Sequence, residues 1–405
     1  MKPEIKQRIE QIHQSEIPEA YKKTKAGILP GDWDVYMLGD CLSRVERPVE
    51  VKPNELYTQI GIRSHGKGLF YKEPVAGAAL GNKAVFWIEP DCFIVNIVFA
   101  WEQAIGKTTQ SEVGMIGSHR FPMYRPVNDT VDIDYLISYF LTKRGTDILE
   151  AASPGGAGRN KTLGQDRFLK SKIILPPIEE QRKIAVILTT QDKVIELKEK
   201  RLVEKQRQKK YLMQQLLTGK KRLPGFIEKW KTFRFNEIFI TISTKGHQIN
   251  KVEYETEGRY PVVDQGKKII AGYSNKTEKV LMCPKDGVIV FGDHTREIKF
   301  INFDFIVGAD GTQLLSAKSE NAGINYLFYY LSNKEIHSNG YSRHFKYVKE
   351  FTYRLPPLEE QSAIVKVLSE ADREIQLLRE GVEQEKQKKK ALMQLLLTGI
   401  VRVRV

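Results

Sequence analysis

The sequence predicts a mixed α/β fold in which two globular segments alternate with two long helices, and three observations carry that prediction. A passage of 48 residues occurs twice, from Leu175 and from Leu355, at an offset of 180 residues with no gap and with 21 identical positions. Such self-similarity marks a chain built as two tandem halves. Each copy has apolar residues at heptad spacing. The residues between the copies carry short β-branched and aromatic runs divided by Gly, Asn and Asp turns.

In chain order, residues 1–174 form a first domain, beginning with a partly helical lead-in that places Ile5, Ile9 and Ile12 on one face. Within it, residues 84–88 and 92–100 read as strands and 133–141 as a short helix. Residues 175–222 form the first helical region. Its opening Leu175-Pro176-Pro177 disfavours helix before a proline and suits the second proline to a first helical turn. Glu179 and Glu180 then sit where the helix dipole favours anions, Lys209 and Lys210 come late, and Thr218-Gly219 stops the helix. Residues 223–354 form a second domain with strands near 279–283 and 287–291 and a helix near 324–331. Residues 355–405 repeat the helical region, with Glu359 and Glu360 early, Lys388, Lys389 and Lys390 late, and Thr398-Gly399 as the stop. The two domains open alike, Leu29-Pro30-Gly31 and Trp33 against Leu223-Pro224-Gly225 and Trp230, and between their ends share little.

About 40 helical residues make a rod of roughly 60 Å, which must bury a stripe along its length. Leu188, Ile195, Leu202, Lys209 and Leu216 are spaced by seven, as are Leu368, Ile375, Val382, Lys389 and Leu396. Ile184, Leu212, Ile364, Leu378 and Leu392 add a second row. The seam predicts that the rods pair as a coiled coil, with the two lysines and Gly381 as weak points. The flanks are too polar for a rod wrapped in a globular core. Two separate surface helices are the plainer alternative. An antiparallel pair lets the second domain close locally between the end of one rod and the start of the next, giving a dumbbell with a pseudo-two-fold axis.

With 405 residues, 41% hydrophobic and 10% aromatic, the chain can bury proper cores in about two to four domains. A net charge of +14 favours a polyanionic partner, although charge alone is weak support. Cys41, Cys92 and Cys283 form no C-x-x-C pair, which argues against a disulfide framework or zinc ribbon and fits a reducing cytoplasm. No apolar run has the length of a membrane span, and the polar start lacks a signal-peptide core.

Catalytic signatures are sparse. The only Pro-Pro pairs follow Leu175 and Leu355, so no Asn/Asp-Pro-Pro-aromatic methyltransferase run occurs, and no phosphate-binding G-x-x-x-x-G-K-[ST] is present. Asp293 with Glu297-Ile298-Lys299 can be forced into a nuclease-like metal site, but an ordinary charged loop accounts for it better. The seven histidines lack metal-ligand spacing, and no metal is expected. What recurs is Arg, Lys, His, Asn, Gln and Tyr in Gly-punctuated loops. The candidate DNA contacts are Arg63, His65, Lys67, Arg120, Arg159 and Lys161 in the first domain. In the second they are Asn275, Lys276, His294, Thr295, Gln313, Tyr341, Arg343 and His344. Arg and Lys pair with guanine, Asn and Gln with adenine, and hydroxyls hold phosphates. The same residues also read as solvated basic loops.

The doubled LPPxEEQ leading into a long helix ending LLTG, alternating with two dissimilar domains, resembles the specificity subunit of a type I restriction-modification system over nearly the whole chain. The resemblance implies two target recognition domains, each reading half of a split, asymmetric DNA sequence, with an antiparallel coiled coil setting their interval. It implies a subunit that catalyses nothing and binds no cofactor. Two modification subunits would use S-adenosylmethionine to methylate adenine, and two restriction subunits would use ATP and magnesium. Family roles transfer only to Leu175 through Gln181, Leu355 through Gln361 and the helices behind them. A coiled-coil adaptor without a DNA role and a nuclease subunit are the competing readings.

Overall fold

The structure, a computed structural model, describes residues 3–24, 27–81, 84–155, 161–336 and 343–403. They pack into two compact units, one of residues 1–198 and 381–405 and one of residues 199–380. Both boundaries fall inside the long helices rather than at their ends. Among the described residues no helix is long and apolar enough to cross a membrane.

In the first unit, an antiparallel sheet orders the strands Ile105–Lys107, Phe93–Val95, Met123–Pro126 and Leu42–Val45. Helices Ile133–Phe140, Lys143–Ala151 and Gln165–Leu169 contribute apolar residues to the core of this sheet. Phe93 packs against Phe140 and Phe168 at ring-centroid distances of 5.5 and 6.1 Å. Asp132 and Thr142 cap the first two helices by accepting from Tyr135 N and Gly145 N. Gly145 is required there, because a Cβ would stand 2.2 Å from the Tyr139 carbonyl oxygen. The expected run 84–88 is the strand Val85–Trp87, and 92–100 yields only Phe93–Val95 before the chain turns.

The second unit has a sheet ordered Phe239–Ile242, Thr312–Ala317, Val288–Gly292 and Ile298–Ile301. Beside it, a five-stranded sheet contains parallel pairs, with Phe305–Gly308 between Gln248–Ile249 and Tyr260–Val263. The helix expected near 324–331 is Ile324–Ser332.

The long helices are Ile178–Leu216 and Leu358–Leu396, 39 residues each, and both begin directly after the second proline. Gly219 and Gly399 follow at φ +71° and +73°, the left-handed conformation that glycine adopts without steric cost. Within the first unit, Ile184 and Leu188 share a core with Leu392 and Leu396, Ile195 and Val382 are buried, and Lys389 Nζ lies 2.5 Å from Asp192. Gln191 and Lys198 bond to Glu385 at 2.8 and 2.7 Å. Within the second, Leu212 and Leu216 meet Ile364 and Leu368, Ile375 is buried, and Leu202 and Leu378 are half-buried. Lys209 pairs with Asp372 at 2.5 Å and Lys205 with Glu374 at 2.6 Å. In both units rising residue number on one helix meets falling number on the other, so the pairing is antiparallel. Two expectations change. Lys209 and Lys389 are not weak points, since each lays its aliphatic stem in the seam and its ammonium on an aspartate of the facing helix. The helix ends are not outside the globular cores, because their apolar residues complete them.

The repeated Glu-Glu-Gln explains how the domains hold the helices. Glu180 and Glu360 have no exposed surface. Glu180 accepts from Trp33 Nε1 at 3.2 Å and from Arg402 Nε and Nη2, each at 2.7 Å, while Arg402 also pairs with Asp32. Glu360 accepts from Trp230 Nε1 at 3.2 Å and from Arg222 Nε and Nη2 at 2.9 and 2.5 Å. Gln181 and Gln361 satisfy the chain just ahead of a domain helix. The first accepts from Asp132 N and donates to the Thr130 carbonyl, and the second accepts from Gly323 N and donates to the Asn321 carbonyl.

Lys198 and Gln191, by hydrogen bonding, hold the Glu385 carboxyl down to about 2 from an ordinary 4.5. A depressed carboxyl stabilises the folded state fully above its unfolded value and loses that contribution as pH falls through its folded value. Denaturation midpoints should therefore fall between about pH 4.5 and 2, and Glu385→Gln should flatten that part of the profile relative to the parent chain.

Candidate nucleic-acid interface

In the first unit, strands Ile60–Ile62 and Leu69–Tyr71 form a hairpin whose tip, residues 63–68, is the predicted basic loop. His65, Gly66 and Gly68 take φ of 62°, 62° and 73°, the left-handed conformation that closes a tight turn. The tip is held in place from two sides. Arg63 Nη1 donates to the Leu69 carbonyl at 2.6 Å, with its guanidinium 5.0 Å from the Phe70 ring centroid. His65 N and Gly66 N donate to the carbonyls of Glu102 and Gln103. The turn that receives them bonds in turn to the other predicted segments. Ile97 N donates to the Arg120 carbonyl, Leu163 N to the Ile97 carbonyl, and Lys161 Nζ sits 5.3 Å from the Trp101 ring centroid. Arg63, His65, Lys67 and Arg120 are exposed, and Lys161 is half-buried.

Sequence reading missed the aromatic part of this surface. Phe99 is 38% exposed, and Trp101 lies against Lys161. An apolar run usually marks a strand, and residues 92–100 concealed a turn that presents aromatics beside basic loops. The only available signal was Asn96, whose side-chain oxygen accepts from Val98 N at 3.1 Å and ends the strand.

In the second unit, the turn 293–296 and the loop 264–268 form one surface. Thr295 Oγ1 donates to the Gln265 carbonyl at 2.5 Å, and His294 N donates to Gln265 Oε1 at 3.1 Å. Asp293 N donates to the Gly311 carbonyl, and Arg296, at φ +64°, donates from Nη1 to the Ile336 carbonyl at 2.9 Å. Thr295 and Arg296 are exposed and His294 half-buried. Gln313 is half-buried on the strand facing Phe291, and Arg343 is exposed.

Several expected contacts stand elsewhere. His344 is 1% exposed, its ring Nδ1 is 2.9 Å from the Asp293 carbonyl, and its own N–H donates to the same oxygen. It is a latch beneath the surface rather than a reader on it. Asn275 and Lys276 follow the hairpin of Tyr260–Val263 and Gly272–Ser274 at the end away from loop 264–268. Their side chains engage Glu255 and Glu253, and the Lys276 ammonium holds the Glu253 carboxyl below its usual range. Arg159 and Tyr341 lie outside the described residues.

The nuclease-like constellation also resolves differently. Asp293 Oδ1 accepts from Phe345 N at 2.8 Å, and Lys299 is buried with its ammonium on loop carbonyls. Among the described residues no group of three or more His, Cys, Asp or Glu side chains is placed to hold a metal ion.

A family model described as type I restriction modification DNA specificity domain matches residues 86–205 and 227–385. The chain is 27% identical over 425 residues to a putative type I restriction enzyme MjaX specificity subunit of Methanocaldococcus jannaschii, covering 95% of this chain and 97% of that one. It is 24% identical over 434 residues to the MjaVIII specificity subunit of the same organism, with the same coverages. Among solved structures it resembles a type I restriction-modification S subunit from M. genitalium at a TM-score of 0.61 and 13% identity, covering 90% of this chain and 96% of that one. A chain from a structure concerned with complex assembly and conformational transition of the type I R-M system matches at a TM-score of 0.57 and 21% identity, covering 92% and 99%. These structural likenesses speak to the fold.

Removing an exposed basic side chain that meets a phosphate should weaken binding to all sequences alike. Lys67→Ala and Arg120→Ala should each reduce the slope of log affinity against log salt by about 1, measured by titration of duplex DNA. His344→Ala should instead lower thermal stability by about 1–3 kcal/mol, the cost of losing a buried side chain together with its ring hydrogen bond, since the backbone N–H still reaches the Asp293 carbonyl.

Proposed function

The chain belongs to the type I restriction modification DNA specificity family, and on that premise we propose how its two domains divide the work. It is a sequence-specific DNA-recognition subunit of a restriction-modification system and supplies no catalysis. Its partners are DNA and the modification and restriction subunits. The observation that carries the division of labour is a repeated frame bearing unlike surfaces. The same buried glutamate, tryptophan and arginine recur in both units, whereas the loops at 63–68 and 264–268 differ in sequence, supporting strands and neighbours.

On this reading each domain reads one half of a split DNA target, the first through Arg63, His65 and Lys161, with Lys67 and Arg120 on phosphates, and the second through Gln265, Lys267, Lys268, His294, Thr295, Arg296 and Arg343. Bidentate Arg and Lys contacts select guanine, and the backbone-tied loops give those side chains a fixed origin. The exposed Phe99 suits apolar contact with a base edge or step. The paired helices fix the interval between the half-sites. Two modification subunits, carrying S-adenosylmethionine, and two restriction subunits, using ATP and magnesium, complete a cytoplasmic assembly.

Long-read detection of methylated adenine, in cells expressing the chain with its modification subunit, should return a split motif. Inserting one heptad after Lys200 and another after Glu380 lengthens each helix by roughly 10 Å, about three base pairs of DNA. The number of unspecified positions should then rise by about two to three while both half-sites persist. An unchanged spacer in a methylating complex would contradict the role given to the helices.

A further inference from the structure

Lys299 belongs to the strand Ile298–Ile301 of the second unit, where it pairs with Val290, and its residue is only 6% exposed. Its ammonium reaches under the loop 264–268 and donates to the carbonyls of Asp264, at 2.8 Å, and Lys268, at 2.5 Å, with the Asp264 carboxylate at 3.8 Å. One buried cation thus ties both ends of a five-residue loop. Asp264 Oδ1 closes the turn from within by accepting from Gly266 N at 2.8 Å. The loop sits close to the backbone beneath it. A Cβ on Gly308 would stand 2.4 Å from Asp264 Cβ, and one on Gly292 would stand 2.7 Å from the Gln265 carbonyl oxygen. On the outer side Lys267, Lys268 and Ile269 are exposed, and Gln265 holds the adjoining turn through His294 and Thr295.

Burying an ammonium is costly, and an apolar side chain of similar length often packs as stably. Burial indeed pushes the Lys299 ammonium below its ordinary range. What an apolar chain cannot supply is donors to two carbonyls that fix where the loop begins and ends. We propose that Lys299 is a positioning residue that holds loop 264–268 in the shape required to read bases of one half-site. The proposal rests on the reading of this surface as a DNA interface, and it assigns specificity to a side chain that never touches DNA.

The test compares methylated-adenine motifs for the full chain, Lys299→Met, Lys299→Arg and the loop-surface variant Lys267→Ala/Lys268→Ala, each with the modification subunit. The loop-surface variant and Lys299→Met should relax the same position or positions within one half-site, with about a 5- to 100-fold loss of discrimination there. The other half-site should be unchanged, which reports an assembled and folded chain. Lys299→Arg, with donors for both carbonyls, should restore discrimination in part. A Lys299→Met chain that methylates the parental motif at uniformly reduced level overturns the proposal, since a purely structural lysine would behave so. If the loop-surface variant changes the motif and Lys299→Met does not, the proposal fails and the DNA reading of the loop stands. If neither changes it, both fail. Should Lys299→Met fail to fold, Lys299→Arg decides. A weaker relaxation at the positions moved by the loop-surface variant supports the assignment, and a parental motif overturns it.

Discussion

A carboxylate with no exposed surface, Glu180 in one unit and Glu360 in the other, is the constraint on which the architecture depends. Removing such a charge from water costs several kcal/mol unless opposite charge and hydrogen bonds replace the lost hydration. Here the replacement is complete in kind, with two guanidinium donors and one indole N–H on each carboxylate. The arginines come from just beyond the ends of the helices, and the glutamates from their beginnings. A continuous 39-residue helix rises about 1.5 Å per residue, so its own first turn and its own trailing arginine cannot meet. Each glutamate therefore takes the arginine of the other repeat, and an antiparallel register satisfies both clamps. Slipping the seam by a heptad would leave two buried carboxylates unpaired, which is a larger penalty than the loss of any one apolar contact.

The clamps also join frame to surface. Trp33 and Trp230 open their domains and donate to the same carboxylates, while Gln181 and Gln361 bond the chain ahead of the helices Ile133–Phe140 and Ile324–Ser332. Those helices pack on the four-stranded sheets, whose turns 96–104 and 293–296 hold the loops 63–68 and 264–268 by hydrogen bonds. Each domain is thus referenced to the helices through one ionic and one amide anchor, which leaves the loop sequences free to differ. The frame repeats because it answers the same packing problem twice.

That division explains what the sequence disclosed. The helices, their proline starts, their glycine stops and their seam were all legible, because heptad spacing and capping residues are local signals. The meaning of Glu180 and Glu360 was not, since their partners Arg402 and Arg222 lie 222 and 138 residues away. Lys209 and Lys389 looked like interruptions for the same reason, with Asp372 and Asp192 invisible as neighbours. In the domains, residue type and glycine punctuation found the loops at 63–67 and 293–296. They could not separate exposed Thr295 and Arg296 from buried His344, because burial is decided by a turn closing from 51 residues away. Phe99 and Trp101 were missed for the opposite reason, as aromatics in an apolar run look like core.

The most direct test of this account is a double-mutant cycle at one clamp, with Glu180→Gln, Arg402→Met and the pair compared with the parent in chemical denaturation. Either single change breaks a buried pair and should cost about 3–5 kcal/mol. The double change should cost less than the sum by at least about 1.5 kcal/mol, in the range measured for directly coupled residues. Strictly additive losses, or single changes that leave stability where it was, would contradict the clamp as the constraint that sets the helix register.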